Sequence, residues 1–452
     1  MLSGDGAIGM PPRVMDVEWE VATDERFGLV VQRGVTAATP EFAHSVHVEL
    51  QGLRPGSEYF YRFRVDGHLS PIGRTRTAPE PGSLPAALTM CFASCANYDA
   101  GFFTAYRRLA EEDPDLVLFL GDYIYEFPAS FAKSRSLPGP EPLTLAEFRQ
   151  RYSQYKLDPD LQAAHAAAPW LVVFDDHELQ NNWADELPSK SDEHFIARRA
   201  AALRAYYENM PLRLASMPRG IDMQLYRRLQ WGDLATFNML DTRQYRDDQS
   251  CGQRRRGTDC AERFAPARSL IGTQQERWLL NGFAQSRSRW DFLGQQIFFS
   301  QFDLTPGAER GFNMDAWDGY VASRDRIVSG WIRSPVRNRV VLTGDVHAHW
   351  AGEVHARFDD PSSAVVATEL VTTSISSGGD GLVPRDDVPT VLSENPHLRY
   401  QSSRRGYVRT RITPDELLVD FRQVPYISRR GAEIETGASF AVPDRAAELN
   451  VV

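Results

Sequence analysis

The sequence predicts a mixed α/β fold preceded by a small all-β domain. Residues 17–77 carry only short alternating apolar runs, the period of half-buried strands. Beyond a Pro- and Gly-rich stretch, short continuous apolar runs appear, as expected of strands buried on both faces. Helical stretches separate those runs, so the second region reads as layered α/β.

In the first region Val17, Trp19 and Val21 alternate, then Val46, Val48 and Leu50, then Tyr59, Tyr61 and Phe63. The turn Leu53-Arg54-Pro55-Gly56, followed by Tyr59, resembles the corner of a fibronectin type III domain, where a tyrosine packs back on its turn. Such a sandwich has about seven strands, and four or five are legible here. Ser3 to Gly6 reads as a loop that should follow a strand, so the chain is expected to start inside this domain, without its first strand. The resulting division is a fibronectin III-like domain over 1–78, a linker over 79–87, a catalytic domain over 88–430 and a polar tail over 431–452.

Within 88–430 the buried runs are Leu88 to Ala93, Leu116 to Leu120, Leu171 to Phe174 and Val340 to Leu342. Phe103, Tyr106 and Leu109 share one helical face, and Asp158 is placed to cap an alanine-rich helix that ends at Pro169. Gln224 to Asp241 reads as a hairpin turning at Gly232-Asp233.

Fifty basic against 60 acidic residues give a net charge of -10, which argues against a nucleic-acid-coating surface. A phosphate-bearing substrate would therefore need local positive charge, such as bound cations. No apolar run approaches a membrane span, and Met1 to Arg13 holds no export signal. Cys251 and Cys260 bracket a polar Arg- and Gly-rich loop and read as a small disulfide. Cys91 reads as a small buried hydrophobe.

Chemistry gathers where the buried runs end, because ligands in such sheets collect at the carboxyl ends of strands. The endings are Ser94-Cys95-Ala96-Asn97, Gly121-Asp122-Tyr123-Ile124-Tyr125-Glu126, Asp175-Asp176-His177-Glu178 and Gly344-Asp345-Val346-His347-Ala348-His349. A single Asp after a strand is more often a turn or helix cap than a ligand. Four such endings together point to a metal cluster, since carboxylates held this close need cations between them. Gly121 and Gly344 suit tight turns where backbone approaches a ligand.

A strand followed by Gly-Asp, another by Asp-His-Glu and a third by Gly-x-x-His resembles the calcineurin-like metallophosphoesterases. Phe92-Ala93-Ser94-Cys95, Asn181-Asn182-Trp183, Leu240-Asp241-Thr242-Arg243-Gln244-Tyr245 and Thr343-Gly344-Asp345-Val346-His347 narrow the likeness. Together with the strand endings they are similar to the PhoD-like alkaline phosphatases, over nearly the whole chain. The resemblance implies a β-sandwich flanked by helices, a ferric ion with calcium, and ligands at Cys95, Asp122, Tyr125, Asp176, Asn182, Asp345 and His347. Thiolate and phenolate suit a strongly charged trivalent cation, and the oxygen ligands suit calcium. Tyr123 and Tyr125 share a strand face, so the choice of Tyr125 rests on the resemblance. Asp122 is the expected bridging carboxylate.

The implied reaction is hydrolysis of phosphate esters by a metal-activated hydroxide. His177 would contact a phosphate oxygen or protonate the leaving group, with Glu178 orienting it. Arg243 is open to two readings, a phosphate clamp or a structural partner of Asp241. His349 and His355 are likewise open between ligand support and structure, while His165, Trp183 and Trp350 read as structural or rim residues. Two rivals accompany this reading: preference for diesters, phospholipids among them, and a non-catalytic surface-binding protein whose metals are structural. The resemblance also implies export through the twin-arginine route, to a secreted or periplasmic location. No motif encodes the natural substrate or the oligomeric state.

Overall fold

The computed structural model describes residues 12–128, 134–252, 260–305, 307–360, 362–381 and 388–452. The Ser3 to Gly6 segment lies outside them. Alternation in the first region produces a five-stranded antiparallel sheet, with strands Val30–Ala38, Met15–Ala22, Glu58–Val65 and His68–Leu69 in that order and Gly73–Arg76 also on Glu58–Val65. Tyr59 is buried, and its hydroxyl accepts the Arg54 backbone N–H at 2.9 Å, the corner expected from the sequence. The described residues of this region form one sheet, so a two-sheet sandwich of the fibronectin type is absent among them. Val46 to Leu50 forms no strand. Its polar alternates are engaged elsewhere: His47 Nδ1 lies 2.7 Å from the Leu212 carbonyl and stacks on Tyr207, and Glu49 accepts the Leu214 N–H. Those bonds take the place of a sheet ladder.

The stretch expected as a linker is docked, because the Ser83 carbonyl accepts the Asp233 N–H at 2.6 Å in the turn of the Arg227–Trp231 and Ala235–Met239 hairpin.

Two seven-stranded mixed sheets follow. One runs Asn450–Val451, Glu435–Pro443, Glu416–Val424, Arg405–Ile412, Leu88–Ala93, Leu116–Leu120 and Trp170–Val173. The other runs Leu398–Ser402, His349–His355, Val365–Val371, Asn338–Thr343, Trp290–Gly294, Ala235–Met239 and Arg227–Trp231. Leu88–Ala93, Leu116–Leu120 and Trp170–Val173 are parallel, as are Ala235–Met239, Trp290–Gly294, Asn338–Thr343 and Val365–Val371. Met90, Phe92 and Leu118 of one sheet share a core with Phe237, Phe292 and Leu342 of the other, so the sheets form a sandwich. The period of two sends the intervening Leu293 and Val341 to the opposite face, against helices Gly272–Gln285 and Val321–Ile332. Buried runs thus arise because both faces are covered.

Asp158 caps helix Pro159–Ala167 by accepting the N–H groups of Asp160 and Leu161. Phe103, Tyr106 and Leu109 are all fully buried at helix Thr104–Glu111. Residues 431–452, expected as a tail, instead extend the first large sheet, with Glu435–Pro443 pairing antiparallel to Glu416–Val424. Alternating Phe440 and Val442 point into the shared core, which a polar average over the segment conceals.

Candidate metal centre and active site

The parallel arrangement places the carboxyl ends of both sets of strands at one edge of the sandwich, and there the backbone turns abruptly. Cys95, Asp122, Asn182, Asp345 and His347 all adopt left-handed conformations, with φ between 56° and 61°. Such a conformation is costly for a side-chain-bearing residue, by roughly 1–3 kcal/mol, and persists only where surrounding structure imposes it. Gly121 has φ 103°, and a Cβ there would collide with Asp175. Glycine is thus required for two strand-end loops to touch.

Glu178 imposes part of this geometry. Its carboxylate accepts the backbone N–H groups of Asp122 at 3.1 Å, Tyr123 at 2.6 Å and Asp175 at 2.9 Å, fastening two loops together. It therefore does not orient His177, as the sequence suggested. That part falls to Glu126, whose Oε2 lies 2.6 Å from His177 Nδ1 while its Oε1 accepts the Asn181 N–H. The His177 ring stacks on Tyr125 at 4.1 Å and meets the edge of Phe127. Burial disfavours its charged form, but Asp176, Glu126 and Asp122 outweigh that and hold its pKa well above the ordinary imidazole value.

Three overlapping groups of potential ligand atoms, each within 4.8 Å of one another, converge here: Cys95, Asp122 and His347; Asp122, Asp176 and His177; Asp122, Asp175 and Asp345. Asp122 belongs to all three. Tyr125, not Tyr123, reaches this point: its hydroxyl donates to Asp122 Oδ2 at 2.9 Å, lies 3.1 Å from His347 Nε2 and accepts from Ser377 Oγ at 2.6 Å. Tyr123 turns away to His165 at 2.8 Å. Asn182 sits at the rim, its N–H bonded to Asp176 Oδ2 at 2.7 Å.

Burial, reinforced by neighbouring carboxylates, pushes the pKa values of Asp122 and Asp345 well up, and that of Asp175 to about 7 despite Arg243. Burial together with Asp122 also raises the Cys95 thiol and the Tyr125 phenol. Asp176 moves the other way, because Arg243 and His177 overcome its burial. Burial and the nearby Arg405 push His347 down to about 3, so it is a neutral imidazole with a lone pair to offer. Asp175 Oδ2 and Asp176 Oδ1 are buried with no hydrogen-bond partner. A multivalent cation would remove the repulsion, take up those orphaned oxygens and favour the deprotonated thiol and phenol. The donor set fits metal ions.

Arg243 is fully buried and faces carboxylates, with Nε 2.6 Å from Asp175 Oδ1 and Nη1 3.0 Å from Asp315 Oδ1. Asp241 binds only its backbone N–H, so the guanidinium is not the partner of Asp241. The side chain faces acidic residues, and its Nη2 is buried with no hydrogen-bond partner. Asp315 also accepts from Gln249 at 2.7 Å, and although burial opposes it, Arg243 and Arg246 hold its pKa below the usual carboxylate range.

Other expected residues are placed as follows. His165 stacks on Trp170, and Trp183 lies in the core beside Phe174 and Phe195. His349 accepts the Thr373 N–H and lies 3.3 Å from the Arg422 carbonyl, and His355 lies 3.1 Å from the Ser363 carbonyl, so these contacts are to backbone and not to the acidic cluster. Cys91 is buried in the core, and Cys251 is disulfide-bonded to Cys260. Sequence reasoning passed over Glu126 and Asp175, although both stand in the quoted strand endings. It had no local signal for Asp315, Ser377 or Arg405, which come from distant segments. Arg405 bonds Ser374 Oγ and the Ser377 carbonyl, holding the hydroxyl that donates to Tyr125.

A family model of the PhoD-like phosphatases matches residues 90–421, and one of the N-terminal domain of PhoD-like phosphatases matches residues 5–79. Alkaline phosphatase D of Bacillus subtilis (strain 168) is 47% identical over 439 residues, covering 96% of this chain and 75% of that protein. A solved structure of PhoD superposes with a TM-score of 0.96 at 45% identity, covering 99% of this chain and 87% of that one. With this site, these matches make the protein a phosphoric ester hydrolase. It belongs to the PhoD-like phosphatases.

Proposed function

We propose that the protein is an alkaline phosphatase acting on phosphate monoesters at the Asp122 cluster. The observation that carries this reading is the sharing of Asp122 by all three ligand groups, which suits one carboxylate bridging adjacent cations. Cys95, Tyr125 and His347 would hold a ferric ion beside Asp122, and Asp175, Asp176, Asn182 and Asp345 would supply oxygen to calcium. Bound there, the cations supply Lewis-acid activation of water and cancel phosphate charge.

The chain's own residues do the rest. Glu126, engaging His177 Nδ1, orients the ring so that Nε2 can deliver a proton to the leaving oxygen. The P–O bond to the organic group breaks, the bond from water forms, and the alcohol departs neutral. Arg243 positions Asp175 and Asp315. The catalytic unit then extends from 88 through the strand Glu435–Pro443, with the described residues from 12 to 87 packed beside it. The Cys251–Cys260 disulfide supports export to an oxidising compartment, secreted or periplasmic. No helix among the described residues is long and apolar enough to cross a membrane.

The test is turnover of p-nitrophenyl phosphate against bis-p-nitrophenyl phosphate, with elemental analysis of the same sample. Monoester preference, iron and calcium in the protein, a visible charge-transfer colour and loss of activity with a calcium chelator are expected. A higher kcat/KM on the diester would make the enzyme a phosphodiesterase, and a colourless, iron-free, fully active sample would refute the iron assignment.

A further inference from the structure

The segment after strand Val365–Val371, Thr372-Thr373-Ser374-Ile375-Ser376-Ser377, runs beside the Cys95 loop. Ile375 donates its N–H to the Ser94 carbonyl at 2.9 Å, and Ser376 and Ser377 each donate theirs to the Cys95 carbonyl at 3.3 Å. Ser376 Oγ adds a bond to the Asn97 carbonyl at 2.7 Å. The segment is thereby fastened to the loop that carries the thiol, and this register sets Ser377 Oγ 2.6 Å from the Tyr125 hydroxyl oxygen.

Arg405 fixes the same segment from a different strand. Its buried guanidinium bonds Ser374 Oγ and the carbonyls of Ser377 and Ser403, while Ser374 Oγ donates to the Ser377 carbonyl at 2.7 Å. The anchoring is thus done by backbone groups, Ser374, Ser376 and Arg405. The fully buried Ser377 hydroxyl has one proton to give and two acceptors in reach, the Tyr125 oxygen at 2.6 Å and the Cys95 carbonyl at 3.0 Å. That carbonyl already accepts two N–H groups. With a cation bound and its own proton lost, Tyr125 becomes the charged acceptor, and charge-assisted bonds are roughly twice as strong as neutral ones. The serine proton then belongs to Tyr125.

We propose that Ser377, held by Arg405, is a positioning residue for Tyr125: its hydroxyl donates to the phenolate oxygen, fixes the direction in which that oxygen meets the cluster, and withdraws part of the charge the phenolate would give to a ferric ion. The inference rests on the iron assignment and adds the group that sets how strongly one ligand donates. Hydrogen bonds to anionic ligands are a general means by which proteins tune a metal. A phenolate stripped of this bond is the stronger donor, with filled orbitals closer in energy to the acceptor levels of the iron. Its charge-transfer band then lies at longer wavelength, and the ferric state is harder to reduce.

The test is the visible spectrum and the ferric reduction potential of the iron-loaded protein, with iron per chain measured on each sample. Ser377→Ala is expected to move the tyrosinate band to longer wavelength and to lower the potential, while Ser377→Thr, which keeps the hydroxyl, holds both near their wild-type values. Arg405→Gln loosens the segment and should move the band the same way by less. In a Tyr125→Phe background, where no phenolate is present, Ser377→Ala should leave the potential unchanged, a result that lost packing alone would not give. A band unmoved by Ser377→Ala at wild-type iron content, or a potential lowered equally in the Tyr125→Phe background, overturns the role of Ser377 and leaves the iron assignment standing. A wild-type protein that is fully active without iron overturns both.

Discussion

The loops after Ala93, Leu120 and Val173 belong to one large sheet and bring Cys95, Asp122, Tyr125, Asp176 and His177. Those after Met239 and Thr343 belong to the other and bring Arg243, Asp345 and His347. The first half holds the thiol, the phenol, the carboxylate shared by all three ligand groups and the His177–Glu126 pair, and Glu178 locks its loops by three backbone hydrogen bonds. The second half contributes an arginine that bonds Asp175 across the gap, and a cavity lined in part by Asp345 lies beside the cluster. Most of the candidate reactive groups sit in the half whose loops Glu178 fastens together. The facing half adds Asp345, His347 and the guanidinium of Arg243.

That division can be broken at several points, beginning with the largest expected effect. Asp122→Ala should abolish both bound metal and turnover, read by elemental analysis and p-nitrophenyl phosphate hydrolysis. Retained activity would dissolve the contrast, because the first half would no longer carry the chemistry. His177→Gln should lower kcat by about 10²- to 10⁴-fold with metal content unchanged, as expected for loss of a proton donor. Glu126→Gln should cost less, about 10- to 100-fold, since it acts through the ring it orients. Equal losses in the two variants would mean that Glu126 touches the reacting atoms itself.

In the other half, Arg243→Met leaves Asp175 buried without its cation and Asp315 with Arg246 alone. Its main effect should be on stability, about 3–5 kcal/mol in denaturant unfolding of the metal-free protein. A variant of normal stability with a raised KM would instead favour the phosphate-clamp reading. Smallest of all, replacing Cys251 and Cys260 together by Ser should cost at most about 3 kcal/mol, from loop-closure entropy, and leave kcat untouched.

Much of this architecture was legible from local pattern. Runs such as Leu116 to Leu120 declare strands covered on both faces, and the ends of such runs are where ligands gather, so Cys95, Asp122, Asp176, Asp345 and His347 stood out. The single amino-terminal sheet was harder to read. Val46 to Leu50 alternates like a strand, but His47 and Glu49 spend their bonds on the Leu212 to Leu214 backbone, a partner no local pattern names. Averaged over its length the final segment looks polar, yet its alternate residues are core.

The sequence by itself determined which residue types stand at each strand end, because burial on both faces and tight glycine turns are local demands. Only the tertiary structure decided how they pair. It gave Glu126 to His177, spent Glu178 on backbone N–H groups, and brought Arg243, Asp315, Ser377 and Arg405 in from separate segments. The reason is physical: a buried charge takes whichever counter-charge or donor the packing of two sheets brings within about 3 Å, and chain spacing does not encode that distance.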